Sequence, residues 1–212
     1  MQGGPVGGVR WDFGTACDVV RGPVGVQQVV YRGVADAPMA TTLPAGTGGQ
    51  ISLGFQLLSD QLGFHQLGTD HLRLFLDGEP SVRAALRDAL ILGVKAAYVE
   101  SDGDGRWRRL DTVPLSPVGF ADNEALIDFP ARSHPAYRLL TELFAYPEKF
   151  GFVDLHLPAL IASASRRFTL HLVLNAQGQD RNGTMVLEEL GPHNLRLGCT
   201  PIVNLFKTSG EP

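Results

Sequence analysis

Ile51-Ser52-Leu53-Gly54-Phe55-Gln56-Leu57 sets an apolar side chain at every second position, with small or polar residues between. A period of two marks a β-strand with one buried face, because successive side chains point to opposite sides of the pleat. The period recurs at Leu72, Leu74 and Leu76, which run into the turn dipeptide Asp77-Gly78. It recurs again at Phe168, Leu170, Leu172 and Leu174, which end at Asn175. β-Branched and apolar runs at 24–31, 94–100, 152–157 and 202–206 predict further strands. Ser101-Asp102-Gly103-Asp104-Gly105 predicts a hairpin turn between Glu100 and Trp107.

Three helices interrupt this pattern. Pro80 stands where a first-turn proline belongs, and Val82, Ala85, Leu86, Ala89 and Leu90 then share one helical face. A second helix is predicted after Ser133, with Pro135 in its first turn and Pro147 ending it by pushing Tyr146 out of helical geometry. Its Tyr137, Leu140, Leu143 and Phe144 are expected to face a core. A third, at about 184–190, is stopped by Gly191 and Pro192. Strands and helices do not alternate regularly, which disfavours a doubly wound parallel sheet. The fold class is α+β: mainly antiparallel β, sandwich-like, with about three short helices. Residues 1–212 read as a single β-rich domain, or as two lobes of about 1–118 and 119–212 joined near 114–125.

Composition narrows the function. The 25 Gly and 14 Pro among 212 residues are about one and a half times ordinary usage, which suits many turns between short strands. A net charge of −4 offers no basic field to a polyphosphate backbone, so nucleic acid is not an expected partner. No apolar run reaches the roughly 18–20 residues of a membrane span, the longest (89–99) being cut by Gly93 and Lys95. Met1-Gln2-Gly3-Gly4-Pro5 is no secretory signal, and Cys17 and Cys199 make neither a disulfide framework nor a zinc site. The expectation is a cytoplasmic protein with reduced thiols and no cofactor.

Catalytic patterns are weak throughout. Gly46-Thr47-Gly48-Gly49 lacks the lysine of a phosphate loop and precedes a strand, so it reads as a loop. Asp102-Gly103-Asp104-Gly105 resembles the start of a calcium loop, but Arg106 follows and no Glu closes it. Ser52 sits in plain strand pattern, not in a nucleophile elbow. Asp154 and His156 share one face of a predicted strand and, with His171, would make a relay or metal site if they converged; satisfied or surface histidines are the alternative. Cys199 reads as a small buried hydrophobe.

Two segments are distinctive. Phe144-Ala145-Tyr146-Pro147-Glu148-Lys149-Phe150-Gly151-Phe152-Val153-Asp154-Leu155 carries a helix through a proline stop into a strand. Leu195-Arg196-Leu197-Gly198-Cys199-Thr200-Pro201-Ile202-Val203-Asn204-Leu205-Phe206 bends at Gly198, is fixed at Pro201 and ends in an apolar anchor. These closely resemble signature stretches of the TssF family (ImpG, VasA) of bacterial type VI secretion systems. The match runs through Tyr137 to Leu140, Glu142, Phe144, Ala145, Pro147, Glu148, Lys149, Phe150, Phe152, Asp154 and Leu155, and then unbroken from Leu197 to Phe206. Leu72-Arg73-Leu74-Phe75-Leu76-Asp77-Gly78 and Pro117-Val118-Gly119-Phe120 match two further stretches.

The resemblance implies a structural, non-enzymatic role in the baseplate wedge. It implies a second TssF copy, a TssG-type subunit, TssK-type subunits, a spike hub and a sheath connector as partners, on the cytoplasmic face of the inner membrane without insertion. Family members are longer, so this chain is expected to be a middle-domain fragment or a truncated protein. Tyr146, Phe150 and Phe206 are the candidate aromatic anchors, for internal packing or for a subunit contact. Glu148 and Lys149 are expected to pair across the turn. Gly198, Cys199, Thr200, Pro201, Asn204 and Leu205 complete the motif. The rival reading is a β-sandwich carbohydrate-binding module, which an aromatic platform on an exposed face would support; Trp11 and Trp107, the two tryptophans, are not paired in sequence, which argues against it.

Overall fold

The computed structural model describes residues 2–6, 9–15, 22–127, 129, 132, 134–164, 166–176 and 181–204. Its strands and helices in chain order are β1 (Gln2–Val6), β2 (Val9–Thr15), β3 (Val24–Arg32), β4 (Thr47–Leu57), β5 (His71–Leu76), α1 (Pro80–Ile91), β6 (Val94–Ser101), β7 (Arg108–Arg109), β8 (Leu115–Pro117), α2 (Pro135–Ala145), β9 (Phe152–His156), α3 (Pro158–Ile161), β10 (Arg167–Asn175), α4 (Arg181–Glu188), β11 (Leu195–Leu197) and β12 (Ile202–Asn204). They fall into two compact units: a larger one of Val20–Pro117 and Gly151–Cys199, and a smaller one of Met1–Val19, Val118–Phe150 and Thr200–Pro212.

The larger unit holds two antiparallel sheets, β3-β4-β10-β6-β7 and β11-β5-β9-β8. The alternating residues sit where their period places them. Ile51, Leu53 and Phe55 of β4 lie opposite Leu172, Leu170 and Phe168 of β10. These six join Leu72, Leu74 and Leu76 of β5, Leu155 of β9, and Leu86 and Leu90 of α1 in one apolar core. At its centre Phe168 stacks on Phe55 at 5.1 Å and meets Phe64 at 5.0 Å.

The central strands are also covered on their second face. Residues 33–46 cross it, placing Ala35 and Leu43, together with Trp107, against Ala96, Tyr98 and Val173. The Tyr98 hydroxyl donates to the Thr42 carbonyl at 2.9 Å. The glycine-rich stretch is part of this arrangement. It is not a loop, since β4 already begins at Thr47, and a Cβ on Gly49 would come within 2.6 Å of the Arg32 carbonyl oxygen. The 101–105 turn closes a hairpin as expected, with Tyr98 opposite Arg109.

Where the sequence was silent, the elements are short or poor in strand formers. α3 has only four residues, too few for a helical period. β1 begins Gln-Gly-Gly-Pro, residue types depleted in strands, yet pairs with β2 with Gly3 opposite Trp11. In the smaller unit β2 also pairs with β12, Val203 lying opposite Gly14. In the larger unit β8 and β9 are neighbours, with Pro117 opposite Val153. Residues 118–150 therefore leave the four-stranded sheet and return to it at adjacent strand ends. Leu205 and Phe206, the end of the expected apolar anchor, lie outside the described residues, as does Cys17.

Candidate interaction surface

The stretches that the sequence singles out meet in the four-stranded sheet. Leu72, Arg73, Leu74 and Phe75 of β5 lie opposite Leu155, Asp154, Val153 and Phe152 of β9, while Leu74, Phe75 and Leu76 face Leu197, Arg196 and Leu195 of β11. Alternate residues enter the core. On the other side Arg73 grips Asp154 with two parallel bonds, Nε to Oδ1 at 2.8 Å and Nη2 to Oδ2 at 2.7 Å. Such a fork geometry is directional as well as strong, and beside it Phe75 and Phe152 pack at 4.9 Å. Asp154 is thus a cross-strand partner.

At the end of β5 the Asp77-Gly78 turn is fastened by Asn194, a residue that carries no motif in the sequence. The Asp77 amide donates to the Asn194 carbonyl at 2.9 Å, the Asn194 side-chain amide donates to the Asp77 carbonyl at 3.0 Å, and the Gly191 amide donates to the Asn194 side-chain oxygen at 2.9 Å. Arg196 completes the corner with an ion pair to Asp77 at 2.5 Å. Gly198, at φ +68°, makes the bend expected of it. Cys199 is half-buried, its thiol directed to the Leu197 carbonyl.

In the smaller unit α2 starts at Pro135 as expected, but its orientation is the reverse of the sequence expectation. Tyr137, Leu140, Leu143 and Phe144 are 63%, 50%, 44% and 85% exposed, whereas Arg138 and Glu142 are buried. The reason lies in what the inner face meets. Residues 118–127 are mostly irregular backbone, whose peptide groups need partners that no ladder supplies. Glu142 accepts from the Leu126 amide at 2.7 Å, and Lys149, also buried, places its ammonium on the same carboxylate. Arg138 donates to the Ala121 and Phe120 carbonyls at 3.3 and 3.4 Å and to the Asp122 carboxylate at 3.2 Å. A polar inner face satisfies that backbone where an apolar one would orphan it.

The turn after α2 is tied into the same clamp. The Tyr146 amide donates to the Glu142 carbonyl at 2.7 Å and the Lys149 amide to the Tyr146 carbonyl at 3.1 Å. Phe150 is buried, packing on Phe120 at 5.2 Å with the Lys149 ammonium 5.3 Å from its ring. Tyr146 is half-buried, and Pro147 and Glu148 are exposed. The buried ion pair of this turn is therefore Lys149 with Glu142.

Burial alone would raise the Glu142 carboxyl, but the Lys149 ammonium and the Leu126 and Ile127 amides outweigh it and hold it below its ordinary value of 4.5. A carboxyl lowered by folding stabilises the native state above its unfolded value, and that stabilisation is lost as pH falls through the lower folded value. Urea midpoints followed from about pH 6 down to about pH 3 should fall, and the fall should be smaller in Glu142→Gln. An equal fall in both proteins would exclude Glu142 as its source.

Asp154, His156 and His171 do not converge. Asp154 is held by Arg73, His156 faces Ser116 at 3.1 Å, and His171 lies on the other sheet between Ser52 and Glu100. Among the described residues no group of three or more His, Cys, Asp or Glu is placed to hold a metal ion. Trp107 stacks on His171 at 3.9 Å and leans on Tyr98 at 5.7 Å, so its ring serves internal packing. Among the described residues no helix is long and apolar enough to cross a membrane.

The surface that this leaves is the outer stripe of α2. Tyr137, Leu140 and Phe144 follow at spacings of three and four, the seam one helix offers to another. Comparison with known proteins gives a context for it. The sequence model of the family described as "Type VI secretion system, TssF" matches residues 2–212. The type VI secretion system component TssF1 of Pseudomonas aeruginosa (strain PAO1) is 30% identical over 208 residues, 97% of this chain and 33% of that protein. A chain in the cryo-electron microscopy structure of the type VI secretion system TssK-TssF-TssG baseplate subcomplex is similar with a TM-score of 0.68 and 26% identity, over 95% of this chain and 35% of that one. The chain spans about a third of the length of these relatives.

Proposed function

The chain belongs to the TssF family of type VI secretion systems, and from that premise we propose that it is a structural part of a baseplate wedge that docks through the outer stripe of α2. The proposed occupant is a helix of a TssG-type subunit, since the solved structure it resembles is a complex containing TssG and TssK. In this reading the chain works without catalysis or cofactor, on the cytoplasmic side, in a wedge with a second TssF copy, TssK-type subunits, the spike hub and the sheath connector. The inward-turned motif residues, Lys149, Phe150 and Asp154, with Tyr146, Pro147 and Glu148 around the turn, build the framework. Gly198, Cys199, Thr200, Pro201 and Asn204 follow β11 as motif residues of the same framework, and Leu205 and Phe206 lie outside the described residues.

The observation that carries this reading is a helix with four large apolar side chains exposed and its charges buried. Exposed apolar side chains grouped on one face mark association sites, and aromatic anchors dominate interface energies. Co-expression with a TssG-type subunit should give a stable complex by light scattering. Phe144→Asp should weaken it by on the order of 30-fold or more, the equivalent of about 2 kcal/mol. The melting temperature of the isolated chain should stay unchanged, because Phe144 is 85% exposed. Wild-type affinity in Phe144→Asp, or a folded chain that forms no complex, would overturn the assignment to α2.

A further inference from the structure

On the outer face of the five-stranded sheet, four polar side chains join two loops through an unbroken line of hydrogen bonds. The Asp36 amide donates to Gln50 Oε1 at 2.8 Å, and Gln50 Nε2 donates to Ser52 Oγ at 3.1 Å. Ser52 Oγ lies 2.9 Å from His171 Nδ1, and His171 Nε2 lies 3.2 Å from Glu100 Oε2. The second Glu100 oxygen accepts from the Gly105 amide at 3.1 Å. Gln50, Ser52 and His171 are 3%, 4% and 7% exposed, at the floor of an open depression.

The two ends fix the direction of the line. A backbone amide can only donate, so the Gln50 oxygen must face Asp36 and its NH2 must face Ser52. Ser52 then accepts from Gln50 and sends its own proton to His171 Nδ1, which must be bare. Nε2 carries the ring proton and donates it to Glu100, a carboxylate that only accepts when ionised. We propose that Gln50, Ser52, His171 and Glu100 form a one-way relay that latches residues 33–41 onto the sheet while His171 is neutral, and releases them when the ring takes a second proton.

A proton on Nδ1 turns the ring into a donor toward Ser52. The serine oxygen then faces two donors, and its own buried proton loses the nitrogen it bonds now. Ser52 Oγ can accept from both, but its own proton then needs a new acceptor, which Gln50 supplies within the line by turning its Oε1 toward Ser52, and that turn cuts the bond to Asp36. Besides the relay, the stretch is held by Ala35, which packs against Ala96, Tyr98 and Val173 and whose amide donates to the Gly48 carbonyl at 3.0 Å, and by Arg32, which pairs with Asp36 at 2.8 Å with both side chains largely exposed. Val34 and Met39 are exposed as well.

The charged groups around the ring are Glu100 from β6, Arg32 from β3 and Asp36 from the latched stretch, which line one open depression of about 360 Å3 with Gln28 and Trp107. Burial pushes the His171 imidazole below its ordinary value of 6.5, with Glu100 pulling partly the other way. The closed form is therefore fully stable above about 6.5, the unfolded value, and loses stability as pH falls.

Amide exchange at Asp36 in the full chain, expressed as a protection factor to remove the intrinsic pH dependence, tests this. Between about pH 7.5 and about pH 5.5 protection should fall by on the order of tenfold while Leu172 at the sheet centre stays protected. His171→Gln should show no such pH dependence. Protection at Asp36 that stays within about twofold in the wild type, or falls equally in His171→Gln, would overturn the proposal. Nitrogen-15 shifts of the wild-type ring decide independently of any variant: a protonated Nε2 and bare Nδ1 at neutral pH are required, and the opposite tautomer would refute the relay.

Discussion

Lys149→Met should destabilise the smaller unit by about 3 kcal/mol, the lower end of the cost of breaking a buried ion pair, because Arg138 remains 3.9 Å from the carboxylate. Lys149 is 2% exposed and Glu142 0%, so water cannot take over the carboxylate's solvation. Glu142 also accepts from the Leu126 and Ile127 amides, and Arg138 lies 3.9 Å from it. Its loss would orphan two backbone donors as well as the ammonium, so Glu142→Ala should cost at least as much. The double variant Glu142→Gln, Lys149→Met should lose clearly less than Glu142→Gln and Lys149→Met combined, because it removes both charges while Gln can still accept from the amides. Chemical denaturation of these variants, with exchange at the Leu126 amide as the local readout, checks this. Additive losses would mean that the pair is not coupled.

Phe168→Ala should cost the larger unit a similar amount, about 3–5 kcal/mol, for a different reason. Phe168 is 1% exposed and touches two further aromatic rings, so truncation removes two ring contacts and leaves a space that rigid strands on either side are poorly able to close. Phe168→Leu should recover much of the loss, since the volume change is smaller. Thermal unfolding of both variants distinguishes them, and a loss below about 1 kcal/mol for Phe168→Ala would show that the core relaxes around it.

The five-stranded sheet was legible because its central strands send every second residue into one core, and a period of two fits a half-buried strand and no helix. Helix α2 shows the limit of the same reasoning. Its apolar stripe was plain at Tyr137, Leu140 and Phe144, but amphipathicity says that a helix has two unlike faces and leaves open which one the fold takes inward. What decided it was the need of an irregular stretch, residues 118–127, for Arg138 and Glu142. A Glu and a Lys seven positions apart across a proline, with Glu148 the one other charge between them, were the available sign of the clamp.

The Arg73–Asp154 pair spans 81 positions, and a single strand pattern carries no register, so no local signal joined its two halves. Ser52 and His171 each read as the polar member of an alternating strand. Only the pairing of β4 with β10, which sets Ser52 directly opposite His171, makes them partners.

Residues 118–150 depart at Pro117 and come back beside it, since Pro117 faces Val153 across two neighbouring strands. An excursion that closes on itself in this way can lengthen, shorten or change its surface without shifting the register of any strand in the sheet. The stretch that carries α2 is thus an insertion in the chain path between two neighbouring strands. The two parts answer to separate selection: the sheet keeps its pairing, while the displayed helix is free to follow changes in whatever it binds.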